Sequence, residues 1–272
     1  MMGRLEASLI RQHMTPARWT KLSQLTVLPE VDSTNTAVAR LPGDRQHAHA
    51  VLAEQQTVGR GRRQRNWHSP AGGNIYLSLG WWFRESRWPL STLPLVVAIA
   101  VCRALGRAGL QGHGIKWPND ILIDGKKLAG ILVELQSAGR GPALAIIGIG
   151  LNIRMPESSP GELKAAIDRP WTDLASHLEN EGAAIDRNHV AALLLEELPA
   201  AMELFERDGF EPLRSIWQEL DVLQGNEIVL DQDGTDLPGI MRGVDGNGSL
   251  LLETAPSVIQ TYHSGEVSIH RG

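Results

Sequence analysis

Arg60, Arg62, Arg63 and Arg65 crowd into the stretch Gly59-Arg60-Gly61-Arg62-Arg63-Gln64-Arg65-Asn66-Trp67. Guanidinium forks match carboxylate and phosphate oxygens two at a time, and Gly59 and Gly61 let the backbone come close to a ligand, so the chemistry on offer is anion binding. Alone, the stretch reads equally as a solvated charged loop or a basic segment that touches nucleic acid. A second cluster, Lys116-Trp117-Pro118-Asn119-Asp120, is followed by Lys127-Leu128-Ala129-Gly130-Ile131-Leu132-Val133-Glu134. Lys127 offers a point charge to an anionic oxygen, and Asn119 with Asp120 can hold a hydrated Mg²⁺, which takes few protein ligands. The plain alternative for Asn119-Asp120 is a turn. Gly148-Ile149-Gly150-Leu151-Asn152 sets small residues in an apolar run, the mark of a close approach or of a bulge. Asp32-Ser33-Thr34-Asn35 supplies side-chain oxygens suited to capping a helix.

These clusters need elements to hold them. Residues 25–28 and 50–53 read as strands with a short helix over 36–41 between them, and 55–73, which has no periodic apolar face, reads as a loop leading to a strand at 74–79. A helix over about 90–106, apolar on most of its surface, suits packing against a sheet. Strands at 121–123 and 128–135 flank Asp124-Gly125-Lys126, a hairpin signal, and 143–153 continues the sheet. The pattern over 173–220 is helical, with Pro199 expected to break or kink it and Gly209 to stop it. Beyond Asp221, short alternating pieces separated by turns such as Asp233-Gly234 predict a small antiparallel barrel. Before residue 25, Leu5, Leu9 and Leu22 suggest a partly amphipathic helix packed on the body.

The 272 residues, 42% hydrophobic and 21% charged, suit a globular enzyme and argue against a fibrous or disordered chain. A net charge of -5 speaks against a surface built wholly for nucleic acid. The single cysteine, Cys102, lies in an apolar run and is expected in the core; it rules out an internal disulfide and fits a reducing, cytoplasmic location. No signal peptide is evident, and no apolar run is expected to reach the ~20 residues of a membrane helix.

The joint order and spacing of the clusters resembles the biotin protein ligase family of bacteria, from about Leu25 to the C-terminus. The likeness takes in Ser33-Thr34-Asn35, Gln56, residues 59–67, 116–120, 127–134, 148–152 and the ending Gly265-Glu266-Val267-Ser268-Ile269. It implies an α+β chain: an N-terminal extension over 1–24, a catalytic domain over 25–221 with a mixed sheet flanked by helices, like class II synthetases and biotin and lipoate ligases, and an SH3-like barrel over 222–272. It also implies an AMP-forming ligase that converts biotin and ATP, with Mg²⁺, to biotinyl-5′-AMP. The biotinyl group then passes to a lysine of a biotin carboxyl carrier domain. By the same resemblance Ser33, Thr34, Asn35 and Gln56 hold the ureido head of biotin, and its aliphatic part lies along Gly130, Leu132, Gly148 and Gly150. Arg60, Gly61 and Arg62 order over the ligand, with Arg62 retaining the intermediate. Arg63, Arg65, Trp67, Asn119, Asn152 and Trp171 lie near the nucleotide, Lys127 is the principal catalytic cation, and Asp120 is the carboxylate for Mg²⁺.

Two departures stand out: Gln64 occupies a place where many relatives have glycine, and His270 stands at or beside one where arginine is usual, so neither His270 nor Arg271 receives a role. A lipoate protein ligase shares the expected fold and adenylation chemistry but not this loop. A DNA-binding repressor is disfavoured, because the 24 or so residues before the first strand are too few for a winged helix-turn-helix domain. No nucleic acid or membrane partner is expected, and edge strands could pair two copies into a homodimer.

Overall fold

Side chains alternate across a strand, and in three long strands this sorts apolar from small and polar residues cleanly. In the computed structural model, which describes residues 3–85, 87–137, 141–155, 167, 170–178 and 185–269, β3 (Ile75–Phe83) sends Ile75, Leu77, Leu79, Trp81 and Phe83 into the main core. β6 (Lys126–Ser137) sends Ala129 and Ile131 there, and β7 (Ala143–Leu151) sends Ala145, Ile147, Ile149 and Leu151. The opposite face therefore receives Ser78, Gly130, Leu132, Glu134, Gly148 and Gly150. One face makes the core and the other makes the site.

The strands join β1 (Gln24–Leu28), β2 (His49–Ala53), β4 (Gly114–Lys116) and β5 (Asp120–Ile123) in the order β1-β2-β3-β7-β6-β5-β4. β1 and β2 are parallel and the remaining pairs antiparallel, so the sheet is mixed as expected. The apolar face is covered by α4 (Leu93–Arg107), which packs against α6 (Arg187–Asp208). The helical stretch Leu90–Arg107, 18 residues, passes for a membrane span by length and composition alone, but 67% of it is buried in this core. On the other face, α3 (Thr34–Ala39) seals a small cluster of Val38, Val51, Leu144 and Ile146 at one end of the sheet.

The N-terminal segment, with α1 (Ala7–His13) and α2 (Pro16–Trp19), is stitched to the body. Arg187, 2% exposed, forms an ion pair with Glu54 at 2.8 Å and donates to the Gly3 carbonyl, while Glu54 accepts from Leu5 N–H. Leu5 and Leu22 are buried as expected, but Leu9 is exposed and Ile10 takes its place in the core.

Short helices α5 (Ala175–Leu178) and α7 (Arg214–Leu220) flank α6 in sequence. Pro199 does not break α6: its helix runs through to Gly209, whose φ of +73° ends it. Pro199 is itself buried, so its packing offsets the hydrogen bond its ring removes. The C-terminal strands β8 (Glu227–Gln232), β9 (Thr235–Val244), β10 (Leu250–Ala255), β11 (Val258–Tyr262) and β12 (Glu266–Ile269) form a five-stranded antiparallel sheet in the order β11-β10-β9-β8-β12. β11 was not foreseen, because its Val258-Ile259-Gln260-Thr261 run is exposed and carries no alternation. The two sheets are bound by Val222 N–H to the Ile115 carbonyl at 3.0 Å and Trp117 Nε1 to the Gly248 carbonyl at 3.1 Å.

Candidate active site

The floor of the site is the glycine-bearing face of β6 and β7. Pairing is unbroken from β3 through β7 to β6, so Gly148 and Gly150 mark close approaches and not a bulge. A Cβ on Gly148 would stand 2.4 Å from Asn35 Oδ1, and one on Gly150 would stand 2.3 Å from the Trp67 indole. The indole also lies against Gly130, at 2.8 Å from where its Cβ would be. Trp67 thus rests on the surface that sequence reasoning gave to an aliphatic ligand, and its buried Nε1 has no partner among the described residues.

Strict alternation from Gly130 would point Lys127 into the core. A bulge prevents this: Ile121 pairs with Ala129 but Leu122 pairs with Lys127, leaving Leu128 as the extra residue. Leu128 and Ala129 both enter the core, and Lys127 turns to the site face. There its Nζ lies 2.6 Å from Asp120 Oδ1 and 5.2 Å from the Trp67 ring centre. The backbone of Lys127 bonds Pro170 and Thr172, which sets Trp171 beside it, and Asn152 Nδ2 donates to the Thr172 carbonyl. The Asp124-Gly125 turn behind this hairpin has positive φ at both positions, +51° and +70°, as a two-residue hairpin requires.

The Asp32–Asn35 segment does not cap its helix. α3 begins at Thr34, earlier than the 36–41 expected, and Ser33 at its N-cap makes no side-chain cap bond. Instead the polar groups face inward. Gln56 Oε1 accepts from Thr34 N–H at 2.9 Å, Ser78 Oγ lies 2.7 Å from Thr34 Oγ1 and 2.6 Å from Asn35 Oδ1, and Asn35 Nδ2 donates to Glu134 at 2.7 Å. Gln56 Nε2 donates to Ser69 Oγ.

The arginine stretch forms the roof. Gly59 is required there, since a Cβ would meet the Trp67 carbonyl at 2.5 Å. Arg63 and Gln64 have φ of +53° and +59°, the left-handed region, where a glycine at the Gln64 position would meet less steric cost. Arg60 pairs with Glu134 at 3.1 Å, Arg62 donates to Asn119 Oδ1 at 3.3 Å, Arg63 pairs with Asp231 at 3.0 Å, and Arg65 forms a fork with Glu266 at 2.6 Å. Burial, and then the nearby Arg63, pull the Arg62 guanidinium below its ordinary pKa. An arriving anion would reverse that effect, so the roof is electrostatically set to receive one.

One cavity is lined by every residue to which the sequence assigned a role: Ser33, Thr34, Asn35, Gln56, Arg60, Gly61, Arg62, Arg63, Arg65, Trp67, Asn119, Asp120, Lys127, Gly130, Leu132, Gly148, Gly150, Asn152 and Trp171. His270 and Arg271 lie outside the described residues. Sequence reasoning missed Ser78, Ser69 and Glu134 as supports of the pocket, and Asp231 and Glu266 as partners of the roof. Ser78 had a signal, a small hydroxyl inside the apolar run 75–83; the others are visible only once distant strands meet.

Residues 27–152 match the model of the biotin/lipoate A/B protein ligase family, and residues 225–269 match that of the biotin protein ligase C terminal domain. The biotin--[acetyl-CoA-carboxylase] ligase of Paracoccus denitrificans is 32% identical over 89% of this chain and 98% of its own length. The chain belongs to the biotin protein ligase family. The bifunctional ligase/repressor BirA of Escherichia coli, another relative, is 37% identical over 90% of this chain and 74% of its own. Among solved structures, the biotin protein ligase from Aquifex aeolicus in complex with biotin and ATP superposes with a TM-score of 0.77 at 28% identity, covering 92% of this chain and all of that one. Family membership makes this chain a ligase and accounts for both sheets, the mixed one that carries the cavity and the antiparallel one beside it.

Proposed function

We propose that the chain activates biotin with ATP as biotinyl-5′-AMP and transfers the biotinyl group to a lysine of a carboxyl carrier domain, in the cytoplasm. The observation that carries this reading is that Lys127 and the arginine roof line one cavity, with the Lys127 ammonium 5.2 Å from the ring of Trp67 at the end of the loop. A relative named for ligation to acetyl-CoA carboxylase matches over nearly its whole length, which favours biotin ligation over lipoate transfer or repression as the activity of this cavity.

The first step brings the biotin carboxylate to the α-phosphorus of ATP. An oxygen–phosphorus bond forms and pyrophosphate leaves. Both reactants are anions, so repulsion is the main obstacle; at about 4 Å and an effective dielectric near 20, one placed cation offsets about 4 kcal/mol before desolvation. Lys127 bridges carboxylate and phosphate, and Arg62 holds the intermediate. Arg63 and Arg65 exchange their carboxylate partners for the nucleotide, whose base lies near Trp67, Trp171, Asn119 and Asn152. Ser33, Thr34, Asn35 and Gln56 bind the ureido head, and the rest of biotin lies along Gly130, Leu132, Gly148 and Gly150 once the Trp67 indole, which rests on Gly130 and Gly150, shifts to admit it. In the second step the acceptor amine attacks the acyl carbon, AMP leaves, and the amine gives up a proton.

Mg²⁺ fits as a partner of ATP. It commonly binds one or two carboxylates and takes its remaining oxygens from water and phosphate, and Asp120, 8% exposed beside Lys127, is a carboxylate of that kind. Bound there it would neutralise phosphate charge.

Mass spectrometry of a carboxyl carrier domain incubated with the protein, ATP and biotin tests the reading. One biotinyl group on the acceptor lysine is expected. Attachment of lipoate but not biotin, or no attachment of either, would overturn it.

A further inference from the structure

A line of hydrogen bonds runs beneath the pocket floor from a charged end to a neutral one, through Glu134, Asn35, Ser78, Thr34, Gln56 and Ser69. Its proton directions follow from which groups can donate. The Glu134 carboxylate only accepts, so the Asn35 atom 2.7 Å from it is the amide nitrogen, which also faces the Leu132 carbonyl at 3.5 Å. Asn35 Oδ1 is thereby turned to Ser78. A carbonyl oxygen only accepts, so the single Ser78 proton goes to it across 2.6 Å. Ser78 then has no proton for Thr34 Oγ1 at 2.7 Å, and the Thr34 hydroxyl must donate to Ser78. Gln56 Oε1 lies farther from that hydroxyl, at 3.2 Å, and is served by Thr34 N–H at 2.9 Å. Ser78 is 0% exposed, Asn35 3% and Thr34 4%, so water does not compete for these bonds.

We propose that Glu134 and Ser78 are positioning residues that fix the polarity of the pocket wall: they hold the Thr34 hydroxyl oxygen as a hydrogen-bond acceptor and so select a ligand head that donates an N–H there, as a cyclic urea does. Neither residue needs to touch the ligand. Without the carboxylate the Asn35 amide can turn over, and without Ser78 the Thr34 proton loses its 2.7 Å acceptor and divides between Gln56 Oε1 at 3.2 Å and the cavity, so the wall discriminates less between donor and acceptor heads. The inference deepens the biotin reading and rests on it.

The test is steady-state pyrophosphate release with biotin and with its two cyclic carbamate isomers, in which oxygen replaces one or the other ureido N–H. The wild-type protein is expected to prefer biotin over at least one isomer by roughly a hundredfold in kcat/KM, since a buried acceptor facing an oxygen is left unpaired. Ser78→Ala should raise the KM for biotin about tenfold, the scale of one neutral hydrogen bond, and leave the KM for ATP within about twofold. Its preference for biotin over that carbamate should fall to a few-fold. Ser78→Cys, with a weak donor of similar size, should restore part of the preference, and Glu134→Gln should weaken it less than Ser78→Ala does. An undiminished preference in Ser78→Ala or, if that variant does not fold, in both Ser78→Cys and Glu134→Gln would overturn the wiring, whatever happened to stability or KM. Wild-type protein that releases no pyrophosphate with biotin would sink the biotin reading and this inference together, a result distinct from intact turnover with unchanged selectivity.

Discussion

Floor and roof of the cavity meet the same ligand with different materials. Ser78, Thr34 and Asn35 of the floor are buried and bonded to one another, and Gly130, Gly148 and Gly150 sit in long, regularly paired strands. Arg60, Arg63 and Arg65 of the roof keep 42%, 36% and 47% of their side chains exposed and are held by ion pairs to β6 and to the five-stranded sheet. Buried neutral hydrogen bonds specify one arrangement, because breaking any of them leaves an unpaired polar atom. Exposed ion pairs contribute little each and can be exchanged for other anions. The contrast assigns recognition to the floor and capture to the roof, with Lys127 at the point where they meet.

The largest effect is expected at that meeting point. Lys127→Ala should reduce biotin-dependent pyrophosphate release by about a hundredfold to a thousandfold, the usual loss when a preorganised charge at a developing anion is removed. A near-normal rate in a variant with an unchanged melting temperature would remove Lys127 from the chemistry and leave floor and roof without a junction. Next in size is Gly148→Ala. Its new Cβ would press within 2.4 Å of Asn35 Oδ1, and the Asn35 amide is tied on its other side to Glu134. The KM for biotin should rise tenfold or more while that for ATP stays within about twofold. Equal losses for both substrates would show that floor and roof are one cooperative unit.

A third prediction concerns the seam between the sheets. Asp221 is 8% exposed with Oδ2 unpartnered among the described residues, and burial raises its pKa from 3.8 to about 7. An acid whose folded value is raised binds its proton more tightly in the folded state than in the unfolded one. Stability therefore falls as pH rises from about 4 to about 7 and then levels off. Asp221→Asn keeps an oxygen for Leu223 N–H and removes the ionisation. Melting curves should show the variant gaining on the wild type between pH 5 and pH 8, by several degrees; parallel curves would mean that Asp221 is solvated and that the seam does not feel pH.

Much of this was legible in the sequence because period-two patterning and glycine spacing are local. The runs at 74–79, 128–135 and 143–153 declare strands, and their alternation already separates a core face from a glycine face. Three features were not legible. The bulge at Leu128 reverses the facing of Lys127, and nothing in Lys127-Leu128-Ala129-Gly130 announces it, since it is set by pairing with Ile121 and Leu122. Ser33 and Thr34 look like capping residues by type, yet burial under the sheet gives their segment better partners in Gln56 and Ser78. The helix at Pro199 survives because both of its neighbours in the pattern, Leu198 and Met202, are buried against the core, a tertiary effect that outweighs the local rule.

The smallest effect is expected from the pair that fastens the roof. Arg65 and Glu266 form a fork at 2.6 Å, but the arginine side chain is 47% exposed and solvent screens the attraction. Arg65→Ala should cost no more than about 1 kcal/mol in unfolding free energy, with half or more of that cost lost when salt is raised from 0.05 M to about 0.5 M. Glu266 is only 18% exposed, so Glu266→Gln, which keeps the shape and drops the charge, is the sharper member of a double-mutant cycle with Arg65→Ala. A coupling above about 2 kcal/mol that ignored salt would make this fastening as rigid as the floor. Capture of a nucleotide by Arg65 would then have to break a preformed structure instead of trading one weak anion for a stronger one, and the division of labour between floor and roof would fail on the roof's side.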